Sequence, residues 1–185
     1  RHLRDAVRQR IAYLTEDRKG KGLVLNMDLR SNVTLLNLRA HCHPLIDRRR
    51  EEQAFQEAIE RFDIRLRTAA RTAAELSGGN QQKLLLAKVM SIDPEIVIIN
   101  EPTRGIDVGT KHQIYHFIHE LTEAGRSVIL ISSEMSELIG LSHRVAVMCA
   151  GVLTGVLEGE DINEQEIMQY ASGIKGVGGD EQRYG

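Results

Sequence analysis

Nowhere in its 185 residues does the sequence contain a Gly-x-x-x-x-Gly-Lys-Ser/Thr stretch. Nothing in it can therefore wrap nucleotide phosphates in the way of a phosphate-binding loop; Gly20-Lys21-Gly22 lacks both the spacing and the hydroxyl. Cysteine is almost missing. Cys42 and Cys149 lie far apart and in different kinds of segment, which excludes a disulfide scaffold, fits a reduced setting and suggests Cys149 as a core residue. Aromatics make up only 4% of the chain, and there is no basic stripe and no long heptad run. With a formal net charge of −2 these absences argue against nucleic acid as a partner. No apolar run approaches the roughly 18 to 20 residues that cross a bilayer. The longest uncharged run, 145–157, is broken by Gly151, Thr154 and Gly155 and reads as two short strands. There is no internal repeat and no signal peptide. The chain opens Arg-His-Leu-Arg without an initiator methionine, as expected of a piece of something longer.

What is present is organised around Leu76-Ser77-Gly78-Gly79-Asn80-Gln81-Gln82-Lys83. Two glycines after a serine allow a tight turn whose backbone amides can converge without obstruction. Residues 80–90 then carry good helix formers and no breaker. A turn feeding a helix N-terminus is an anion site, because amides and helix dipole point at one spot. The same residues also read as an ordinary helix start with Ser77 as N-cap. Residues 96–107 follow as Ile-Val-Ile-Ile-Asn-Glu-Pro-Thr-Arg-Gly-Ile-Asp. Four β-branched residues in a row predict a strand buried on both faces, as in a parallel sheet. Asn100 and Glu101 then stand at its carboxyl end, where open α/β sheets place their ligands.

Together these stretches resemble the ABC ATPase family, with its signature motif and then its Walker B strand, catalytic glutamate and D-loop. They are most similar to the C-terminal half of the tandem ATP-binding subunits of monosaccharide importers, where LSGGNQQK and EPTRGIDVG are characteristic. The likeness extends over most of residues 11–171. It implies an α/β fold: a partial ABC-type (P-loop NTPase) domain with a mainly parallel sheet core and an inserted helical subdomain. The N-terminal strands and phosphate loop are lacking, since by position the loop should precede Arg1. It implies that residues 1–171 form the partial domain, with 23–90 as helical and signature subdomain and 91–171 as the remainder of the core. The glycine-punctuated tail, 172–185, has too little apolar content to order itself.

The resemblance also assigns roles. Ser77, Gly78, Gly79 and Gln81 would meet ATP held by another domain's phosphate loop. Glu101 stands at the general-base position, and Asp107 in the D-loop would couple two sites across the interface. Glu16, within Thr15-Glu16-Asp17-Arg18-Lys19, occupies the Q-loop position; an ionised carboxylate there can bind metal but donates no hydrogen bond. Two positions depart from the ATPase pattern in one direction. Asn100 replaces the Walker B aspartate that holds Mg2+, and a neutral amide attracts a divalent cation weakly. Ser133, within Ile131-Ser132-Ser133-Glu134, replaces the switch histidine and is too short to reach a γ-phosphate. An asymmetric arrangement is expected, with a competent signature working in trans and a degenerate site of its own. ATP and Mg2+ are the cofactors of the complete assembly. The partners implied are an N-terminal ATPase half or second ATP-binding subunit, transmembrane permease subunits and, indirectly, a sugar-binding protein, all at the cytoplasmic face of the inner membrane. Alone, the chain should be inactive as an ATPase.

The rest of the chain fills in around these motifs. A short strand is expected at 11–14 and a helix ending near Leu38, capped by Asp28 or Ser31. Residues 47–62 predict a helix with Ala54, Phe55, Ala58, Ile59 and Phe62 on its apolar stripe. Asp107 caps a helix over 108–123 that Gly125 closes. Residues 127–132, 144–150 and 152–157 read as strands, and 163–171 as a last helix. His41-Cys42-His43-Pro44 has poor geometry for chelation, and His112, His116 and His119 lie on one helix face without a completing ligand. Two other readings remain. One is a non-catalytic remnant that energises nothing and, with its sheet exposed, dissolves poorly alone. The other is an ABC ATPase of DNA repair or translation, against which the low aromatic content and missing basic stripes argue.

Overall fold

The chain folds as two units, residues 1–131 and 132–185, in a computed structural model that describes residues 3–42, 45–66 and 71–176. In the first unit, helix α1 (Leu3–Arg8) leads into β1 (Ile11–Leu14), which joins β2 (Ile96–Asn100) and β3 (Ser127–Ile131) in a parallel sheet of order β1-β2-β3. The register aligns Leu14 with Ile99 and Ile99 with Leu130. Every second residue therefore faces the same way. Ala12, Leu14, Val97 and Ile99 are buried beneath helices α4 (Gly78–Met90) and α5 (Val108–Glu123), whose Leu84, Ile114 and Leu121 complete the core.

The opposite face differs from the expectation of burial on both sides. Tyr13, Ile129 and Ile131 are about half exposed, and Ile96 and Ile98 are only partly covered. Both long helices lie on the other face, so the β-branched run of β2 is buried at alternate positions only. The amino ends of the strands are tied by two arginines. Arg10 pairs with Asp93 at 2.5 Å and Glu95 at 2.7 Å, while Arg126 pairs with Asp93 at 2.6 Å and donates to the Pro94 carbonyl.

Between β1 and β2 lies the helical part. Asp28 rather than Ser31 caps α2 (Leu29–Thr34): its carboxylate accepts from the Ser31 amide at 2.9 Å. The helix gives way at Leu35 to a 3-10 turn that runs to His41 and is kinked at Asn37. Helix α3 (Arg48–Arg61), capped by Asp47, buries Phe55 and Ala58 as its stripe predicts, and also Glu51, which accepts from the Thr34 hydroxyl at 3.0 Å. Helix α4 is buried almost all round, including four polar side chains. Three of these, Gln81, Lys83 and Lys88, find carbonyl or carboxylate partners, as burial of polar groups requires. Asp107 caps α5, and Gly125 follows that helix at φ +76°.

The second unit begins with α6 (Met135–Leu141). It continues through the antiparallel pair β4 (Arg144–Cys149) and β5 (Val152–Glu158), then α7 (Glu164–Ala171), capped by Asn163. Ala150 and Gly151, both at positive φ, make the two-residue turn that the right-handed twist of a hairpin favours. Its core is Val145, Val147, Leu157 and Ile167, flanked by Met135, Leu138, Ile162 and Tyr170. Cys149, read as a core residue, is only half-buried, because it ends β4 beside the turn. In the tail, Lys175 pairs with Glu166 at 2.7 Å, so the stretch to Gly176 is placed; residues 177–185, like His43 and Pro44 of the His-Cys-His-Pro stretch, lie outside the described residues. No helix among the described residues is long and apolar enough to cross a membrane, and no group of three His, Cys, Asp or Glu among them could hold a metal ion.

Candidate functional site

Ser77 terminates an extended segment at φ −61°, ψ 157° and caps α4, its hydroxyl accepting from the Asn80 amide at 3.4 Å. The first amides of any helix lack an intrahelical acceptor, and here Ser77 and Gly78 stand exposed at that end. The glycines have different reasons to be there. A methyl group at Gly78 would meet only the Gly105 carbonyl at 3.6 Å, so the turn is open on that side. One at Gly79 would stand 2.7 Å from the Thr110 hydroxyl and 3.4 Å from the Asp107 carboxylate, so Gly79 lets α4 close upon the start of α5. The residues that the sequence offers as an anion site form a capped helix start, with Ser77 as N-cap.

Asp107 uses both carboxylate oxygens locally, accepting from the Thr110 amide at 3.0 Å and the Thr110 hydroxyl at 2.8 Å. These bonds hold its carboxyl below the usual carboxylate range. Glu16 also lies near this end of the sheet, half-exposed, and pairs with Arg104 at 3.3 Å. The next loop, a π-helical turn at Arg18–Gly22, is capped by Asp17, whose side chain accepts from the Gly20 amide at 2.9 Å. Arg18 extends from it to donate to the Gly78 carbonyl at 3.2 Å. Burial pushes the pKa of this guanidinium down, although arginine keeps its proton in any protein setting. Lys88 reaches the same loop from α4, donating to the Gly22 carbonyl at 2.7 Å. The Glu16 loop, the Ser77 turn and the loop before Asp107 are thus brought together.

Two of the residues picked from the sequence, Gln81 and Asn100, take partners outside that cluster. Gln81 is buried, and its amide donates to the Ala73 carbonyl at 3.0 Å, inside the helical part. The residue three beyond the cap meets it instead. That residue is Asn80, which donates to the Ser77 hydroxyl at 3.1 Å. Asn100 sits on the open face of the sheet and donates its amide to the Tyr13 hydroxyl at 3.1 Å. Ser133 is exposed in the second unit; beside it the Ser132 hydroxyl donates to the buried Glu137 at 2.6 Å and accepts from the Glu134 amide at 3.0 Å.

Glu101 follows Asn100 at φ +47°, a left-handed conformation that costs a non-glycine residue about 1–3 kcal/mol. Its amide donates to the Ile131 carbonyl at 2.8 Å, which holds the strained backbone in place. Arg10, Asp63, Asp93 and Ala150 adopt positive φ as well. Toward a divalent cation the residues do not fit. Asn100 offers a neutral amide whose nitrogen donates to Tyr13, a weaker ligand for a divalent cation than a carboxylate.

Sequence reasoning passes over Arg18, Tyr13, Thr110 and Lys88. Arg18 lies within the quoted Glu-Asp-Arg-Lys stretch, but its reach over 60 residues carries no local signal. Tyr13 is discoverable from strand alternation, which puts it on the face of Asn100.

Comparison with known proteins is consistent with this geometry. The family model described as ABC transporter matches residues 2–104, just over half of the chain. The chain is 46% identical over 174 residues to the ribose import ATP-binding protein RbsA 2 of Agrobacterium fabrum, covering 93% of this chain and 34% of that protein. It is 43% identical over 169 residues to the ribose import ATP-binding protein of Halalkalibacterium halodurans, covering 91% and 34%. The chain therefore spans about a third of the length of these relatives. Among solved structures, it superposes on a dimeric ATP-binding cassette in a post-hydrolysis state, bound to ADP and phosphate. The TM-score is 0.70 at 18% identity, covering 85% of this chain and 68% of that one, which speaks to the fold. A glycine turn opening α4, a strand delivering Asn100 and Glu101, and the match over residues 2–104 together establish that the chain belongs to the ABC transporter family.

Proposed function

We propose that this chain is the C-terminal part of the ATP-binding subunit of a monosaccharide importer, and that it supplies its signature turn to an ATP site completed by another ATPase domain. The observation that carries the reading is the Ser77-capped turn: intact, exposed at Ser77 and Gly78, and open at Gly78. Ser77 and the amides around Gly78 and Gly79 would bind the terminal phosphate, while Asp107 holds the start of α5 against that turn. The partner is an N-terminal ATPase half or a second ATP-binding subunit. Permease subunits at the cytoplasmic face of the membrane would receive the motion, and a sugar-binding protein would deliver substrate. The similarity to ribose import proteins supports a monosaccharide as cargo.

The site built on this chain's own Walker B strand has a lesser part in the proposal. Asn100 is bonded to Tyr13 and lacks the carboxylate that a magnesium ion prefers, so Glu101 stands beside a weak metal position. Hydrolysis would proceed in the other site, with Ser77 contributing electrostatic stabilisation as charge shifts among the phosphate oxygens. The test is ATP hydrolysis by this chain, alone and then mixed with an intact N-terminal half. No turnover is expected alone. Stimulation on mixing, abolished by Ser77→Arg, supports the role in trans. Absence of stimulation by a folded sample would favour the inactive remnant instead.

A further inference from the structure

Three cations stand in the turn that follows β1, and they behave differently. Lys19 and Lys21 are exposed, whereas Arg18 is half-buried. Its Nη1 donates to the Gly78 carbonyl at 3.2 Å, and its Nη2 lies 3.5 Å from where a side chain on Gly105 would begin. Gly105 itself adopts φ +69° and presents no side chain to displace the guanidinium. A cation at the amino end of a helix opposes the helix dipole. An arginine serving only to fasten the loop would be better placed at the other end of α4. The arrangement becomes favourable once negative charge arrives at the same turn.

The loop that carries Arg18 is itself fixed at both ends. Glu16 pairs with Arg104 ahead of it, and the Gly22 carbonyl behind it receives Lys88 of α4. Between them Asp17 closes the turn on the Gly20 amide. Arg18 thus spans from this loop to the first residue of α4. A shift of the Glu16 loop must move the Gly78 carbonyl or break this bond.

From this geometry we infer that Arg18 is a positioning residue: it sets the orientation of the Ser77-Gly78-Gly79 turn and links that orientation to the Glu16 loop. The inference rests on the signature acting in trans, and its test separates the two. In the complete ATP-binding subunit, Arg18→Met is compared with Arg18→Lys and with Ser77→Arg. Amide hydrogen exchange and steady-state ATP hydrolysis are both measured. Arg18→Met is expected to speed exchange at residues 80 and 81, whose amides are bound to the Ser77 hydroxyl and carbonyl, about tenfold, the weight of one charge-assisted hydrogen bond, while leaving residues 84–90 unchanged. Turnover should fall by a similar factor with little change in KM for ATP, and Arg18→Lys should recover part of both. Unchanged exchange at residues 80 and 81 in Arg18→Met overturns the inference whatever turnover does. Faster exchange along the whole of α4 also overturns it, since Arg18 would then merely support the helix. If Ser77→Arg leaves turnover intact, the reading in trans fails, and exchange alone judges the role of Arg18.

Discussion

Adding one methyl group at either of two adjacent glycines should have opposite consequences for stability. At Gly78 the new carbon would meet the Gly105 carbonyl at 3.6 Å, an ordinary contact, while alanine gains up to about 1 kcal/mol of helix propensity. Gly78→Ala should thus be neutral or slightly stabilising. At Gly79 the same carbon would stand 2.7 Å from the Thr110 hydroxyl and 3.3 Å from its methyl group. Thr110 cannot easily move, because its hydroxyl and amide are both bound to Asp107. Overpacking of this kind costs about 1–3 kcal/mol, which exceeds the propensity gain, so Gly79→Ala should lose about 1 kcal/mol net. Urea unfolding followed by far-UV circular dichroism reads the difference as a shift in midpoint at constant slope. Combining Gly79→Ala with Thr110→Ala should erase the penalty, since coupled neighbours depart from additivity. A Gly79→Ala protein as stable as Gly78→Ala, or a penalty that survives loss of the Thr110 hydroxyl, would refute the proposed close packing of α4 on α5.

Further outcomes follow from buried and paired charges. Burial lowers the pKa of Lys88, so wild type should gain stability relative to Lys88→Met as pH rises through that lowered value toward about 10.4; equilibrium unfolding between neutral and alkaline pH measures it. The hydrogen bond from Arg126 holds the Asp93 carboxyl below its usual range. Its contribution should be complete above about pH 4 and vanish as pH falls through the lowered value, an acid dependence that Arg126→Met should flatten in the same assay. In the second unit, a methyl group at Gly155 would stand 2.6 Å from the Tyr170 ring, and Gly155→Ala should destabilise that unit by about 1–3 kcal/mol, visible as loss of tyrosine near-UV signal at a lower urea concentration.

Much of the local architecture is legible because it depends on side chains next to one another in sequence. Asp107 followed by 16 helical residues and Gly125 announces both ends of α5, and Ser77 announces the start of α4. Asn163 and the Ala150-Gly151 turn do the same in the second unit. The covering of the sheet is not legible, for a reason outside local sequence. Four β-branched residues in β2 fit either one covered face or two, and only the packing of α4 and α5 on a single face decides it. Adjacency groups Gln81 with the signature, whereas helix geometry turns Asn80 toward Ser77 and Gln81 inward. The Arg18–Gly78 and Asn100–Tyr13 contacts join residues 60 and 87 positions apart, and no spacing rule reaches that far.

The most direct test of the account compares Ser77→Arg with Glu101→Gln in the complete ATP-binding subunit, reading steady-state ATP hydrolysis. On the proposed reading, Ser77 serves a site completed elsewhere, while Glu101 serves the site beside Asn100. The account predicts that Ser77→Arg abolishes turnover and that Glu101→Gln leaves most of it. Equal loss in both variants, or turnover that depends on Glu101 and survives Ser77→Arg, would contradict it.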